Sequence, residues 1–352
     1  MPSYVENVVS DDQAVYFATG KSEGLPIQLH KVRALDGVEL WRVNLELYDE
    51  LATVTLGADV YLAAPHANYL AAFNKTNGNN VWEKRIELAR GEPLVVESRL
   101  LVADQEGVNL FDARNGHLVW RSKLAAPRPA WALLAARGDV AVVTTTSGDP
   151  SFGSIFALDL RSGREKWRFE DARGTNSIVF DSRHVWFGPP MILGDYAYFA
   201  SEIKAPDGTG PGNVFGLHLS NGSLVWRIDM EKADLNAYYN YLAGQNGTIY
   251  VSSPVGLAAI DGKTGNEIWR LPRHGGGATR SLAIAGGIIY WAAGGGNLLA
   301  ISAHEGKVTG PTIQVNLDGV SPSVTSPSPF GAELVLVALA VIGIVWRRKG
   351  RA

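Results

Sequence analysis

The side chains that could do chemistry are few and scattered. Seven histidines stand at positions 30, 66, 117, 184, 218, 274 and 304, and no pair has the spacing that sets two imidazoles on one zinc ion. No Ser/His/Asp set stands out either. Cysteine is absent, which removes thiolate nucleophiles, thiolate metal ligands and disulfides but leaves the redox compartment open. The glycine-rich loop Pro206–Asn213, with Asp207, faintly suits calcium through oxygen ligands, yet it lacks the acidic spacing and terminal glutamate of an EF-hand. Gly275–Gly277 and Gly294–Gly296 lead into neither a helix nor a Gly-Lys-Ser/Thr motif, so they are not phosphate loops. These residues name no catalyst and no metal ligand, and no cofactor is expected from them.

What remains is binding chemistry. Phe180, Asp181, Arg183, His184, Trp186 and Phe187 form one group, and Asp234, Tyr238, Tyr239 and Tyr241 another, with Glu202 and Asp207 between them. An aromatic and acidic rim of this kind could take a peptide, a glycan or a partner protein. The formal charge of -3 comes with no basic stripe, so nucleic acid is not an expected partner. Asn74-Lys75-Thr76, Asn221-Gly222-Ser223 and Asn246-Gly247-Thr248 match the N-glycosylation acceptor pattern, although turn chemistry alone places the same residue types there.

The elements that must position these groups come from a repeat. Gly37, Gly78, Gly116, Gly163, Gly222, Gly265 and Gly306 each end a short turn. Four residues after the first six stand Trp41, Trp82, Trp120, Trp167, Trp226 and Trp269; the seventh copy has Gly310. Ten residues before the tryptophan position is a small residue (Ala72, Ala157, Gly216, Ala259, Ala300), with Lys31 and Leu110 as departures. Eight before it comes Asn74, Asp112, Asp159, His218 or Asp261. The glycines are 41, 38, 47, 59, 43 and 41 residues apart, and about 40 to 45 residues is what four short strands and their turns consume. Amphipathic helical stripes are missing from residues 1–320.

The expectation is an all-β, seven-bladed β-propeller of four-stranded antiparallel blades, with eight blades if the N-terminus is incomplete. Strands A to D of the first blade fall at about 3–8, 14–19, 27–33 and 38–44, and the tryptophans are expected to fill the wedge between neighbouring blades. Four long segments interrupt the regularity. Thr144–Gly153 and Ile203–Asn213 are read as B–C loops, and Phe169–Gly188 and Met230–Tyr239 as D-to-A connections. Up-and-down blades place all four on one face, over blades four to six, where the aromatic and acidic residues also lie.

The phrase A-x-D-x-x-T-G-x-x-x-W, seen from Ala157 to Trp167, resembles the docking motif of pyrroloquinoline quinone (PQQ)-like β-propeller repeats. Those repeats occur in quinoprotein dehydrogenases and in non-catalytic relatives such as the outer-membrane assembly lipoprotein. The resemblance covers about residues 1–318 and speaks to fold more than to chemistry. The dehydrogenases often carry a vicinal disulfide over the cofactor, which a chain without cysteine cannot form.

After residue 318 the composition changes. Residues 319–329 are a Ser/Thr/Pro spacer, 330–346 an apolar segment from Phe330 to Trp346, and 347–352 a basic end. Seventeen residues make a helix of about 25 Å, enough for a short membrane span. The arginines place the tail in the cytoplasm and the propeller outside. That orientation needs an export signal, which MPSYVENVVSDDQAVYFATG does not contain, so the start is read as incomplete. Spacer, Pro329-Phe330-Gly331, apolar helix and terminal arginines together resemble the sorting tails of archaeal surface proteins.

The sequence thus points to a single-pass cell-membrane protein with an extracellular, non-enzymatic propeller. Its expected partners are the membrane and a protein or surface polymer. The alternatives are a PQQ-dependent dehydrogenase of alcohols or sugars, for which PQQ and Ca2+ would be the cofactors, and an extracellular sensor subunit.

Overall fold

The computed structural model describes residues 4–20, 26–49, 52–124, 129–147, 153–169, 184–187, 189–204, 213–229, 241–253, 256–272, 282–293, 297–309 and 313–314. Among them all regular structure is β-strand, arranged in seven antiparallel sheets. The residues divide into two units, Met1–Leu134 and Ala135–Pro327.

The first unit holds three whole sheets. Sheet one is β1 (Tyr4–Ser10), β2 (Ala14–Gly20), β3 (Gln28–Arg33) and β4 (Glu39–Asn44). Sheet two is β5 (Thr53–Leu56), β6 (Val60–Ala64), β7 (Tyr69–Phe73) and β8 (Asn80–Arg85). Sheet three is β9 (Leu94–Val96), β10 (Arg99–Ala103), β11 (Gly107–Asp112) and β12 (Leu118–Lys123).

The fourth sheet begins with β13 (Pro129–Arg137) and continues in the second unit through β14 (Val140–Ser147), β15 (Gly153–Asp159) and β16 (Glu165–Arg168). Sheet five is β17 (His184–Phe187), β18 (Met191–Leu193), β19 (Tyr196–Lys204), β20 (Asn213–His218) and β21 (Leu224–Asp229), with β17 and β18 both paired to β19. Sheet six is β22 (Tyr241–Gln245), β23 (Thr248–Ser253), β24 (Gly256–Asp261) and β25 (Glu267–Pro272). Sheet seven is β26 (Leu282–Ala285), β27 (Ile288–Ala293), β28 (Asn297–Ser302) and the two-residue β29 (Ile313–Gln314).

Apart from β17 and β18, which share β19, the hydrogen-bonded neighbours in each sheet are consecutive in the chain. In sheet two the middle strands β6 and β7 are built of apolar and aromatic residues and are buried at every position. That pattern belongs to strands covered on both faces. Within the first unit one apolar cluster joins sheets one and two and another joins sheets two and three. Within the second, three clusters join sheets four to five, five to six and six to seven. The last strands β4, β8 and β12 alternate instead between exposed and half-buried residues.

Three of the long segments differ from simple loops, and in Ile203–Asn213 the residues Ile203, Lys204 and Asn213 lie in β19 and β20. β14 and β15 stay paired to Thr146 and Gly153, because Thr144-Thr145-Thr146 is β-branched and continues the strand. Likewise β17 pairs His184 to Phe187 with Lys204 to Ser201, so part of the expected Phe169–Gly188 connection is strand. The spacer 319–329, the helix 330–346 and the tail 347–352 lie outside the described residues. Among the described residues no helix is long and apolar enough to cross a membrane.

Candidate functional site

The recurring turn is built from one side-chain oxygen and one glycine. Asp159 Oδ1 accepts the amides of Arg161 (3.1 Å) and Ser162 (2.9 Å) and the Ser162 hydroxyl (2.8 Å). Asp261 repeats this with Lys263, Thr264 and the Thr264 hydroxyl, and Asn74 with the amides of Thr76 and Asn77. The hydroxyl and amide donors hold the Asp159 and Asp261 carboxyls below the usual range; at Asp112 the Arg114 guanidinium does so. The chain then reverses through the glycine, and all seven glycines have φ between 67° and 75°, a region closed to most L-residues.

Into that turn comes the tryptophan of the preceding repeat. In the first unit Trp41 Nε1 donates to the Lys75 carbonyl (3.2 Å) and Trp82 to that of Ala113 (2.8 Å). In the second, Trp167 donates to Leu219 (2.8 Å), Trp226 to Gly262 (2.8 Å) and Trp269 to Ala303 (3.2 Å). The acceptor is always three residues before the glycine. The ring lies so close over that glycine that a Cβ on Gly222 would stand 2.5 Å from Trp167 Cε3. Hydrogen bond and close approach together fix each indole in one pose.

A second donor accompanies the indole in several repeats. Tyr198 and Tyr250 donate their hydroxyls to the Gly262 and Ala303 carbonyls, each at 3.0 Å. Each tyrosine pairs across the strands with a small residue, Gly216 or Ala259, and so do Tyr61 with Ala72 and Tyr290 with Ala300. In repeat one Lys31 takes the small position. Its ammonium shares the Lys75 carbonyl at 2.9 Å and lies 5.4 Å from the centre of the Tyr16 ring. Repeat three pairs Leu101 with Leu110, so bulk removed from one strand returns on the other. These tyrosines carry no constant offset from the tryptophans, because the intervening B–C segment varies in length, and sequence spacing alone passes over them.

The described loops of the first unit carry a polar cluster. The Asp49 carboxylate is wholly buried and accepts the amides of His66 (2.6 Å) and Ala67 (3.3 Å). Arg90 Nη2 stands 3.0 Å from His66 Nε2. A guanidinium can only donate, so the imidazole proton sits on Nδ1, 3.5 Å from Asp49 Oδ1. Further along, Asp104 accepts from Asn109 (2.8 Å) and Arg121 (2.9 Å), and Arg121 and Lys123 also face Glu106. These groups pair with one another and present charge of both signs, which suits a polar contact surface.

His30 lies in another row, with Nδ1 3.0 Å from Glu39 Oε2 and Nε2 3.1 Å from Thr19 Oγ1. The same hydroxyl donates to the Gln28 carbonyl at 3.4 Å, and the ring stacks on Phe17. The row ties β2, β3 and β4 together. His218 holds the repeat's Asp position, and its amide donates to the Ser223 carbonyl at 2.9 Å, as the Asp159 and Asp261 amides do to Arg164 and Asn266.

Of the expected binding rim, Asp181, Asp207, Asp234, Tyr238 and Tyr239 lie outside the described residues. His184, Trp186 and Phe187 lie on β17, where only the backbone is described. Asn74 is half-buried in its turn, whereas Asn221 and Asn246 are exposed. No group of three or more His, Asp or Glu is placed to hold a metal ion among the described residues.

Comparison with known proteins agrees with this architecture. A family model described as outer membrane protein assembly factor BamB matches residues 28–205 and 210–309. The chain is 27% identical over 180 residues to the BamB of Legionella pneumophila, covering 51% of this chain and 44% of that one. It spans less than two thirds of the length of each curated relative it matches. The crystal structure of BamB from Moraxella catarrhalis aligns with a TM-score of 0.57 at 17% identity over 85% of this chain and 80% of that one. The quinohemoprotein alcohol dehydrogenase of Comamonas testosteroni aligns with a TM-score of 0.59 at 15% identity, over 87% and 68%. At such identities the structures share the fold alone. With repeats, joints and family model in agreement over most of its length, the chain belongs to the family of outer membrane protein assembly factor BamB, built of PQQ-like β-propeller repeats.

Proposed function

We propose that this chain is a surface-exposed, non-enzymatic β-propeller held on a membrane by its C-terminal segment, where it binds a protein or surface polymer. The observation that carries the reading is the match of residues 28–205 and 210–309 to a family described by assembly and not by a reaction. The turns support it, because the repeat's carboxylates and hydroxyls are engaged in closing the turns and its indole N–H groups in holding sheet to sheet. The binding face is assigned to the four long segments 144–153, 169–188, 203–213 and 230–239. The membrane span is assigned to 330–346, with the propeller outside.

The test replaces those four segments with the short turns of the other repeats and measures cross-linked partners and glycan binding on native membranes. Loss of both is expected. Undiminished binding would remove the assignment. Mass spectrometry of the mature protein then addresses the topology. Glycan on Asn221 or Asn246, or a processed tail, is expected for an external propeller, and bare asparagines with an intact tail would place it inside.

A further inference from the structure

The ladder of tryptophans on glycine turns has an unfilled rung. Gly78, Gly116, Gly222, Gly265 and Gly306 each lie against the indole of the preceding repeat, with 2.5 to 3.1 Å between the ring and an added Cβ. Gly37 has the same φ of 71° and the same turn, closed by Gly37 N to Arg33 O and Arg33 N to Val38 O. Yet nothing among the described residues comes within 4 Å of a Cβ placed on it. The repeat that lacks a tryptophan, with Gly310 in its place, is the seventh, so the chain holds six repeat indoles for seven such turns.

The open turn also differs in chemistry from its six counterparts. Two residues before the glycine, the others have Thr76, Arg114, Arg161, Ser220, Lys263 and His304; here it is Leu35, 77% exposed. One residue after it, the others have Asn79, His117, Arg164, Ser223, Asn266 and Lys307; here it is Val38, 48% exposed. Apolar residues stand in place of polar ones at this turn. Exposed leucine and valine on a tight turn gain nothing from water and add apolar surface on either side of Gly37.

We propose that the Gly37 turn is a docking site for a tryptophan presented on an extended strand of a protein partner. The occupant's chemistry is set by the filled joints. Trp41 sits on Gly78 together with Val43, and Trp82 on Gly116 together with the stem of Lys84, so the incoming strand presents Trp and the residue two places on. The indole N–H is received by the carbonyl of Ala34, which is three residues before the glycine, as at every filled joint. The inference goes beyond the long-segment binding face and involves none of its residues, so either can fail alone.

The test uses a labelled peptide copying Glu39–Leu45 (ELWRVNL) and the full-length chain in mild detergent, read by fluorescence polarisation. Saturable binding is expected, lost when the peptide carries Trp41→Ala. Changing Leu35→Thr and Val38→Asn in the protein, the residues that repeat two carries at these positions, is expected to weaken binding by about tenfold or more. If that double variant melts early, the single Val38→Asn variant gives the same reading. Equal binding of the Trp41→Ala peptide, or of the double variant, overturns the proposal. So does the absence of binding to the unaltered chain, which would mean that the chain fills its own turn. A concentration-dependent dimer that disappears in the double variant would also overturn it, in favour of a second copy.

Discussion

Trp226 donates its indole N–H to the carbonyl of Gly262 at 2.8 Å, a bond from one sheet to the turn of the next. Tyr198 donates to the same oxygen at 3.0 Å. Tyr61 holds the equivalent strand position in repeat two, but its hydroxyl is buried without a hydrogen-bond partner among the described residues. Replacing tyrosine by phenylalanine should therefore act oppositely at the two sites. Tyr198→Phe is expected to cost about 1 kcal/mol, and Tyr61→Phe to be neutral or stabilising. Urea unfolding of the two variants decides it, and equal losses would show that the Tyr61 hydroxyl is partnered.

A second prediction separates backbone strain from crowding. Gly222 and Gly247 both have positive φ, 71° and 80°, but only Gly222 lies under an indole. Gly247→Ala should cost about 1–2 kcal/mol from conformation alone. Gly222→Ala should cost about 1–3 kcal/mol more, because Trp167 must move. Thermal melts that rank the two equally would remove the crowding contribution.

Acid should loosen the turns. The carboxyls of Asp112, Asp159 and Asp261 titrate below their ordinary value in the folded chain. A depressed folded value adds stability above the unfolded value near 3.8, and that stability is lost as pH falls through the folded one. Asn74 already shows that an amide can accept the same turn bonds. The double variant Asp159→Asn, Asp261→Asn should thus lose less stability than the parent between about pH 5 and pH 2. Denaturant midpoints measured across that range test it, and parallel curves would refute it.

The buried Asp49 carboxylate should matter more than the histidine it faces. Asp49→Ala leaves the His66 and Ala67 amides without their acceptor and is expected to cost about 1–3 kcal/mol for unpaired buried groups. His66→Ala removes a half-exposed ring and should cost under about 1 kcal/mol. Circular dichroism melts distinguish them, and a reversed order would place the organising role on His66.

The sheets could be read from sequence because their signals are local. Gly163 and Trp167 are four residues apart, and Asp159 holds its turn with residues two and three further on, so spacing reports geometry directly. The Tyr198–Gly216 and Tyr250–Ala259 pairs span a B–C segment of varying length and leave no fixed interval to find. Thr144–Thr146 was set among loop residues by segment length, although its β-branched run pairs with 153–155. The Asp49–His66–Arg90 contacts join separate loops, and no pattern along the chain marks them. The open turn at Gly37 is written in Leu35 and Val38, but it becomes visible only when the other six turns are known to be alike.

Each joint between repeats reads backbone: one carbonyl oxygen and one missing Cβ. Beyond these, the joint asks of its neighbour only apolar side chains that fill the space between the two sheets. A repeat can therefore change its surface, lengthen its loops or exchange its charges without disturbing the next, provided that turn is kept. This independence explains how glycines 38 and 59 residues apart belong to one series. A repeat transplanted from a distant relative would thus need to match this chain at one turn, one indole and the apolar faces between sheets.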